Sequence, residues 1–341
     1  MHRIRGADRR NDRHEGIMLE TNGKIPLRWW DNKKNFGDLI GPWLAAKMTG
    51  REIYWAQKTE AHYLLVGSIL DRVTPSSVVW GPGSFGTEGR KVLKKQPKYL
   101  AVRGPLTRSK LVMHDIDCPR VYGDPALLVP DYYLPEVRKT HRLGVVLRWS
   151  EGARKKALEA RGIKVIDLLT DQVEETIDAF LSCERIITTS LHGLIIADTY
   201  RIPNAWLIAD TGAGKEYKFW DYLISVGKCR PPVDVDIKLP YWTEQRMLRE
   251  FDFDDRRIGI DLDLLRSTCP LLHRTPEIEE AEARALEAGT ASPEIVDQPR
   301  ASLARRKKAA ATPASAAPAE PAAQPQQGVA GWLSGRLRRS G

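Results

Sequence analysis

One imidazole, three hydroxyls and a helix start lie together in ERIITTSLHGLIIADTYRIP, residues 184–203. Ile186 and Ile187 read as the end of a buried strand, and Thr188, Thr189 and Ser190 as a hydroxyl-rich turn. Residues 191–200 read as a helix that Pro203 closes before a further strand. A strand running through a short polar turn into a helix places free N–H groups at the carboxyl edge of a sheet, where α/β folds hold anions. His192 falls in the first turn of that helix, beside Gly193, which lets another backbone or a ligand come close. The chemistry on offer is anion binding with one proton carrier at hand. The bland alternative is that the hydroxyls are ordinary helix caps and the histidine is structural.

Four further loops follow strands in the expected topology. In NFGD, Gly37 permits a tight turn, and Asn35 and Asp38 can cap the next helix. GPGSFG, residues 81–86, could cradle a phosphate through the backbone around Gly83, although it lacks the lysine of a P-loop and the GxGxxG spacing. Arg103 in VRGPLT and Arg148 in LRWS each stand at a strand's carboxyl end, where a guanidinium fork suits phosphate or carboxylate. Lys215 and Lys218 could also reach a cleft, with solvent as the competing destination. There is no HExxH, GxSxG, Asp-rich cluster or Cys/His pairing, so no metal or covalent nucleophile is called for.

These loops need elements to position them. From residue 25 onward short apolar runs alternate with helical patterns, which implies βαβ units and parallel sheets. The rhythm occurs twice. The expected fold is therefore α/β, with two Rossmann-like domains facing a cleft: residues 18–135, then 136–274 carrying the SLHG loop. Gly50 is expected as a helix C-cap and Pro105 as a helix start. Residues 1–17 read as a disordered N-terminus, with Met18 as an alternative start. Residues 275–341 read as a mostly disordered tail with a short acidic segment that can be helical.

The 341 residues are 42% hydrophobic and 28% charged, as expected of a soluble globular chain. No apolar run is long enough to span a membrane, and the charged N-terminus is not a signal peptide. Four separated cysteines suggest a reducing, cytoplasmic compartment. The net charge of +9 is uneven, with seven Arg/Lys against one Glu in residues 301–341. The closing GVAGWLSGRLRRSG is basic and amphipathic, and could lie on an anionic membrane surface, peripheral at the inner face of the plasma membrane. With the positive charge largely in the chain ends and no recognisable binding fold, nucleic acid is not an expected partner.

Taken in order, NFGD, WGPGS, RGPLT, GDPALL, VVLR and SLHGLIIAD resemble the polysaccharide pyruvyl transferase family, over roughly residues 25–230. Within it the likeness is to the bacterial exopolysaccharide, succinoglycan-type ketal pyruvyl transferases. The resemblance implies a GT-B-like fold and transfer of a pyruvyl group from phosphoenolpyruvate to two hydroxyls of one sugar. The products are a cyclic ketal and phosphate, with phosphoenolpyruvate as co-substrate and no cofactor. It implies His192 as general acid, or alternatively as a hydrogen-bond donor to the departing phosphate, and Asp38 as a base towards the sugar, with Asn35 and Gly37 on the acceptor side. Arg103, Arg148, Ser190, Thr189, Lys218 and Gly83 are then donor-binding, and Asp124 is structural in its GDP turn. Many members carry an arginine two places before the histidine, where this chain has Ser190. Arg148, Arg103 or Lys218 is expected to take over.

A sugar on a lipid-linked oligosaccharide is the expected acceptor, which would give the basic tail a purpose. The rival readings are a GT-B glycosyltransferase using a nucleotide sugar, and a non-catalytic scaffold of polysaccharide assembly.

Overall fold

The computed structural model describes residues 18–93, 97–209 and 216–290. Strands β1 (Ile25–Leu27), β2 (Ile53–Trp55), β3 (His62–Leu64), β4 (Ser77–Trp80) and β5 (Lys98–Ala101) form one parallel sheet in the order β2-β1-β3-β4-β5. Strands β6 (Gly144–Leu147), β7 (Lys164–Asp167), β8 (Ile186–Thr188) and β9 (Asn204–Trp206) form a second, in the order β7-β6-β8-β9. Most strands are apolar runs buried on both faces, as in SVVW, GVVL and IIT, which is the pattern of parallel sheets covered by helices. The α/β expectation and its parallel sheets therefore hold.

The helices are α1 (Phe36–Thr49), α2 (Arg90–Leu93), α3 (Pro105–Val112), α4 (Gly152–Glu159), α5 (Val173–Leu181), α6 (Leu191–Thr199), α7 (Tyr217–Ser225), α8 (Glu244–Glu250), α9 (Leu262–Ser267) and α10 (Pro276–Thr290). Gly50 caps α1 in the left-handed region (φ 65°), and Pro105 opens α3, both as expected. A 3-10 segment, Pro125–Asp131, links the two sheets and is capped by the Asp124 side chain.

The sheets are joined by more than this linker. Phe36 of α1 stacks on Phe180 of α5 at 6.1 Å, and the Phe36 N–H donates to the Leu168 carbonyl at 2.8 Å. The C-terminal segment then returns to the first sheet. Trp80 Nε1 donates to the Leu265 carbonyl at 3.1 Å. On α10, Ile278, Ala281 and Ala285 are buried, and the Tyr63 hydroxyl donates to the Glu282 carboxylate. This corrects the expected boundary at residue 274. The acidic segment is a docked helix, because its Ile/Ala stripe recurs at helical spacing and covers the first sheet. Residues 1–17 and 291–341, including the basic amphipathic end, lie outside the described residues.

Candidate active site

In each sheet the strand order reverses once: between β1 and β3 in the first, between β6 and β8 in the second. At such a point neighbouring loops diverge to opposite faces and open a crevice at the carboxyl ends of the strands, which is where α/β sheets bind ligands. One cavity of about 460 Å³ collects residues from both crevices. Trp30, Asn35 and Asp38 follow β1, and Ser68 and Arg72 follow β3. Arg148 and Trp149 follow β6, while Ser190 and His192 follow β8. Phe85, Lys218 and a second carboxylate, Asp71, also line it. The volume suits a small ligand buried on most sides.

Ser190 is the N-cap residue of α6, but its side chain makes no cap hydrogen bond. The expected hydroxyl cap is therefore absent, and the first-turn amides keep their capacity for an anion. Only Ser190 of the three hydroxyl residues lines the cavity. Thr188 Oγ1 donates to the Ser190 carbonyl at 3.2 Å and accepts from its N–H at 3.0 Å. Thr189 is fully buried: its hydroxyl donates to Glu151 and accepts the Arg148 N–H at 3.0 Å. Thr189 thus ties the β6 and β8 loops together and does not reach a donor. Gly193 admits its own sheet, since a Cβ there would lie 2.2 Å from Thr188 Oγ1.

His192 is buried against α1. A Cβ on Gly37 would meet its Nδ1 at 2.1 Å, so Gly37 does not line the cavity but makes room for the imidazole. Burial, with help from Lys218 and Arg103, pushes the His192 pKa down to about 3. An isolated imidazole titrates near neutrality, but here, without ligand, the ring is neutral. Asp38 is displaced the other way. Burial raises its carboxyl to about 6, against the lowering effect of Asn35, Lys218 and Arg72. The Asn35 amide donates to the Asp38 carboxylate, so neither side chain has its expected role as a helix cap.

Arg103 and Gly83 are not at the cavity wall. Arg103 is fully buried and paired with Asp221 at 3.0 Å, and donates to Ser68 Oγ at 2.6 Å and the Ser84 carbonyl at 2.7 Å. A Cβ on Gly83 would lie 2.2 Å from the Arg103 Cζ, so the glycine loop seats this guanidinium where a phosphate was expected. Arg148 and Lys218 do line the cavity; Lys218 lies 5.3 Å from the Phe85 ring centre and is half-buried, where solvent was the competing expectation. Lys215 lies outside the described residues.

The sequence reading missed Arg72, Trp30 and Trp149. Arg72 sits in a one-turn 3-10 segment after β3; its guanidinium makes no hydrogen bond to a described residue and stands 3.8 Å from Asp31. Its place just past a strand's carboxyl end was the available signal. The Trp30 and Trp149 indoles, from different sheets, stack at 6.4 Å at the cavity wall.

The polysaccharide pyruvyl transferase family matches this chain over residues 30–210, a span that contains every cavity residue except Lys218. The chain belongs to that family. By that membership it is a polysaccharide pyruvyl transferase. It is 28% identical to the succinoglycan biosynthesis protein ExoV of Rhizobium meliloti (strain 1021), over 62% of this chain and 68% of that protein. It is also 27% identical to the uncharacterized protein L143 of Acanthamoeba polyphaga mimivirus, over 62% of this chain and 78% of that one. No solved structure matches it. Among the described residues of this pyruvyl transferase, no helix is long and apolar enough to cross a membrane.

Proposed function

We propose that the enzyme moves a pyruvyl group from phosphoenolpyruvate onto two hydroxyls of one sugar in an exopolysaccharide precursor, closing a cyclic ketal and releasing phosphate. The observation that carries this reading is the single cavity that joins three cations, Arg72, Arg148 and Lys218, to His192 and Asp38. Phosphoenolpyruvate brings a carboxylate and a phosphate, and it needs more than one guanidinium or ammonium group together with helix N-terminal amides. Arg72 and Arg148 take the part of the cation absent at Ser190. Two parallel sheets with their switch points on one cavity suit a GT-B-like arrangement, and the reading adopts it. Asn35 holds Asp38 on the acceptor side, and no further cofactor is called for.

The chemistry balances with the groups present. A proton adds to the methylene carbon, and the resulting oxocarbenium-like centre is attacked by the first hydroxyl. Phosphate then leaves, and the second hydroxyl adds. Two hydroxyl protons are released over the cycle: one replaces the proton given to the methylene, and the other leaves on phosphate. His192 supplies the first proton and Asp38 receives one from the sugar, help worth about 10²–10⁴-fold. His192 is neutral without ligand, so the dianionic phosphate has to raise its proton affinity on binding. The acceptor is a lipid-linked oligosaccharide at the inner face of the plasma membrane, in a cytoplasmic setting, with the basic tail on the anionic surface.

The test is a thermal-shift titration with phosphoenolpyruvate, using UDP and GDP as comparators. A ligand that binds only the folded state raises stability in proportion to ln(1 + [L]/Kd). A rise with phosphoenolpyruvate alone, lost in Arg148→Ala, is expected. A rise with a nucleotide alone would transfer the case to a nucleotide-sugar glycosyltransferase.

A further inference from the structure

His192 Nε2 and Asp124 Oδ2 face each other at 3.8 Å. Both atoms are sealed from water, and neither has a hydrogen-bond partner. Two buried polar atoms left open opposite each other are costly unless a proton or a small movement joins them. Asp124 is fully buried, and its other oxygen accepts the Ala126 N–H at 3.0 Å, which fixes the carboxyl plane. The two residues come from different elements: Asp124 caps the 3-10 linker and His192 opens α6. Nδ1 lies against Gly37, so the ring is held from both sides with its Nε2 edge towards the carboxyl.

We infer that Asp124 is a positioning residue for His192: its carboxylate selects the Nε2–H tautomer, leaves Nδ1 to the substrate, and is the counter-ion of the imidazolium formed in turnover. The inference rests on the pyruvyl-transfer reading for its catalytic part. In the ligand-free protein the pair stands just beyond hydrogen-bond reach, as catalytic pairs often do before substrate closes on them. A carboxylate on one imidazole nitrogen dictates which nitrogen meets the ligand. With Asp124 in place, protonated Nδ1 gives its proton to the methylene carbon, whose π electrons form the new C–H bond. Nδ1 then takes the proton of the first attacking hydroxyl. Asp124 gains and loses nothing over the cycle.

The surrounding charges agree. Burial, then Lys218 and Arg103, disfavour a charged imidazole, so a nearby anion is needed if His192 is to become an acid. Burial raises Asp124 to about 6, with Asp221 and Asp38 acting the same way and Arg103 opposing them. Tyr222, whose hydroxyl donates to Asp198, adds no competing cation.

Asp124→Asn keeps the oxygen that caps Ala126 and removes the charge. It is expected to keep the wild-type melting temperature and phosphoenolpyruvate KM while kcat falls about 10²-fold or more. The limb on which kcat declines with rising pH should also move to lower pH. Wild-type kcat and an unmoved limb in Asp124→Asn would overturn the inference. A second measurement depends on neither activity nor the variant's folding. Long-range proton–nitrogen correlation spectra of histidine-labelled wild type, assigned with His192→Gln, should show the Nε2–H tautomer at His192 above pH 7. An Nδ1–H tautomer would overturn it. If the wild type turned over no phosphoenolpyruvate, the proposed function would fail, and the tautomer would still decide the pairing.

Discussion

Gly37 and His192 fit each other across two elements that are more than 150 positions apart in the chain. Nδ1 of the imidazole occupies the space that any side chain at residue 37 would take, 2.1 Å from the position of a Cβ. The glycine of NFGD and the histidine of SLHG are thus one feature of the site, seen from its two sides.

Gly37→Ala should therefore behave unlike an ordinary helical substitution, which stabilises by about 0.5–1 kcal/mol. The methyl group must displace the ring, and a displacement near 1 Å costs about 10²-fold in kcat. Gly41→Ala on the same helix is the control, because its Cβ would meet Val66 at an ordinary 3.5 Å. Steady-state kinetics and melting curves of both variants check this. Equal kcat values would refute it.

Arg72 and Arg103 should separate binding from stability. Arg72→Ala is expected to raise the phosphoenolpyruvate KM with little change in melting temperature, since its guanidinium holds no described residue by a hydrogen bond. Arg103→Ala leaves Asp221 buried without its partner, and should cost about 3–5 kcal/mol of stability. Urea unfolding together with donor titration distinguishes the two. The reverse pattern would return donor binding to Arg103.

His62 gives a pH dependence away from the cavity. Its Nδ1 meets the Glu60 carbonyl at 2.7 Å and its Nε2 meets the Ser77 hydroxyl at 2.8 Å, an arrangement that suits the neutral ring. Burial lowers its pKa from 6.5 to about 4. Below pH 6.5 the unfolded chain binds a proton there that the folded chain does not take until about pH 4. The contribution is thus intact above 6.5 and declines as pH falls towards 4. Between pH 7 and 5 the wild type should lose about 2 kcal/mol more than His62→Gln, measured by urea unfolding. Identical losses would show that the folded ring charges freely.

Truncation should show whether α10 is needed for stability. A chain ending at residue 290 keeps α10 and should melt as the full chain does. Ending at 275 removes Ile278, Ala281 and Ala285 from the first sheet and the carboxylate from the Tyr63 hydroxyl. Burial of Ile278 alone is worth roughly 1.5–3 kcal/mol. The shorter chain should melt well below the longer one. The 290 truncation also tests the proposed membrane role of the tail, because unchanged membrane fractionation would reject it.

The sequence by itself determined the elements and most of their order. Apolar runs of three or four residues alternating with helical patterns dictate parallel strands, and Gly50 and Pro105 mark helix ends through backbone conformation alone. It also determined the family, because six short motifs recur in a fixed order. Position across the chain was left to the tertiary structure. Arg72, Arg103 and Arg148 all follow strands, and nothing local tells which guanidinium faces the cavity and which meets a buried Asp221. That depends on strand order, since the crevice opens only where the order reverses, at β1/β3 and β6/β8. The protonation of His192 was decided in the same way. An isolated imidazole titrates near neutrality, but packing against Gly37 and Asp124 removes its water, and desolvation outweighs the intrinsic value.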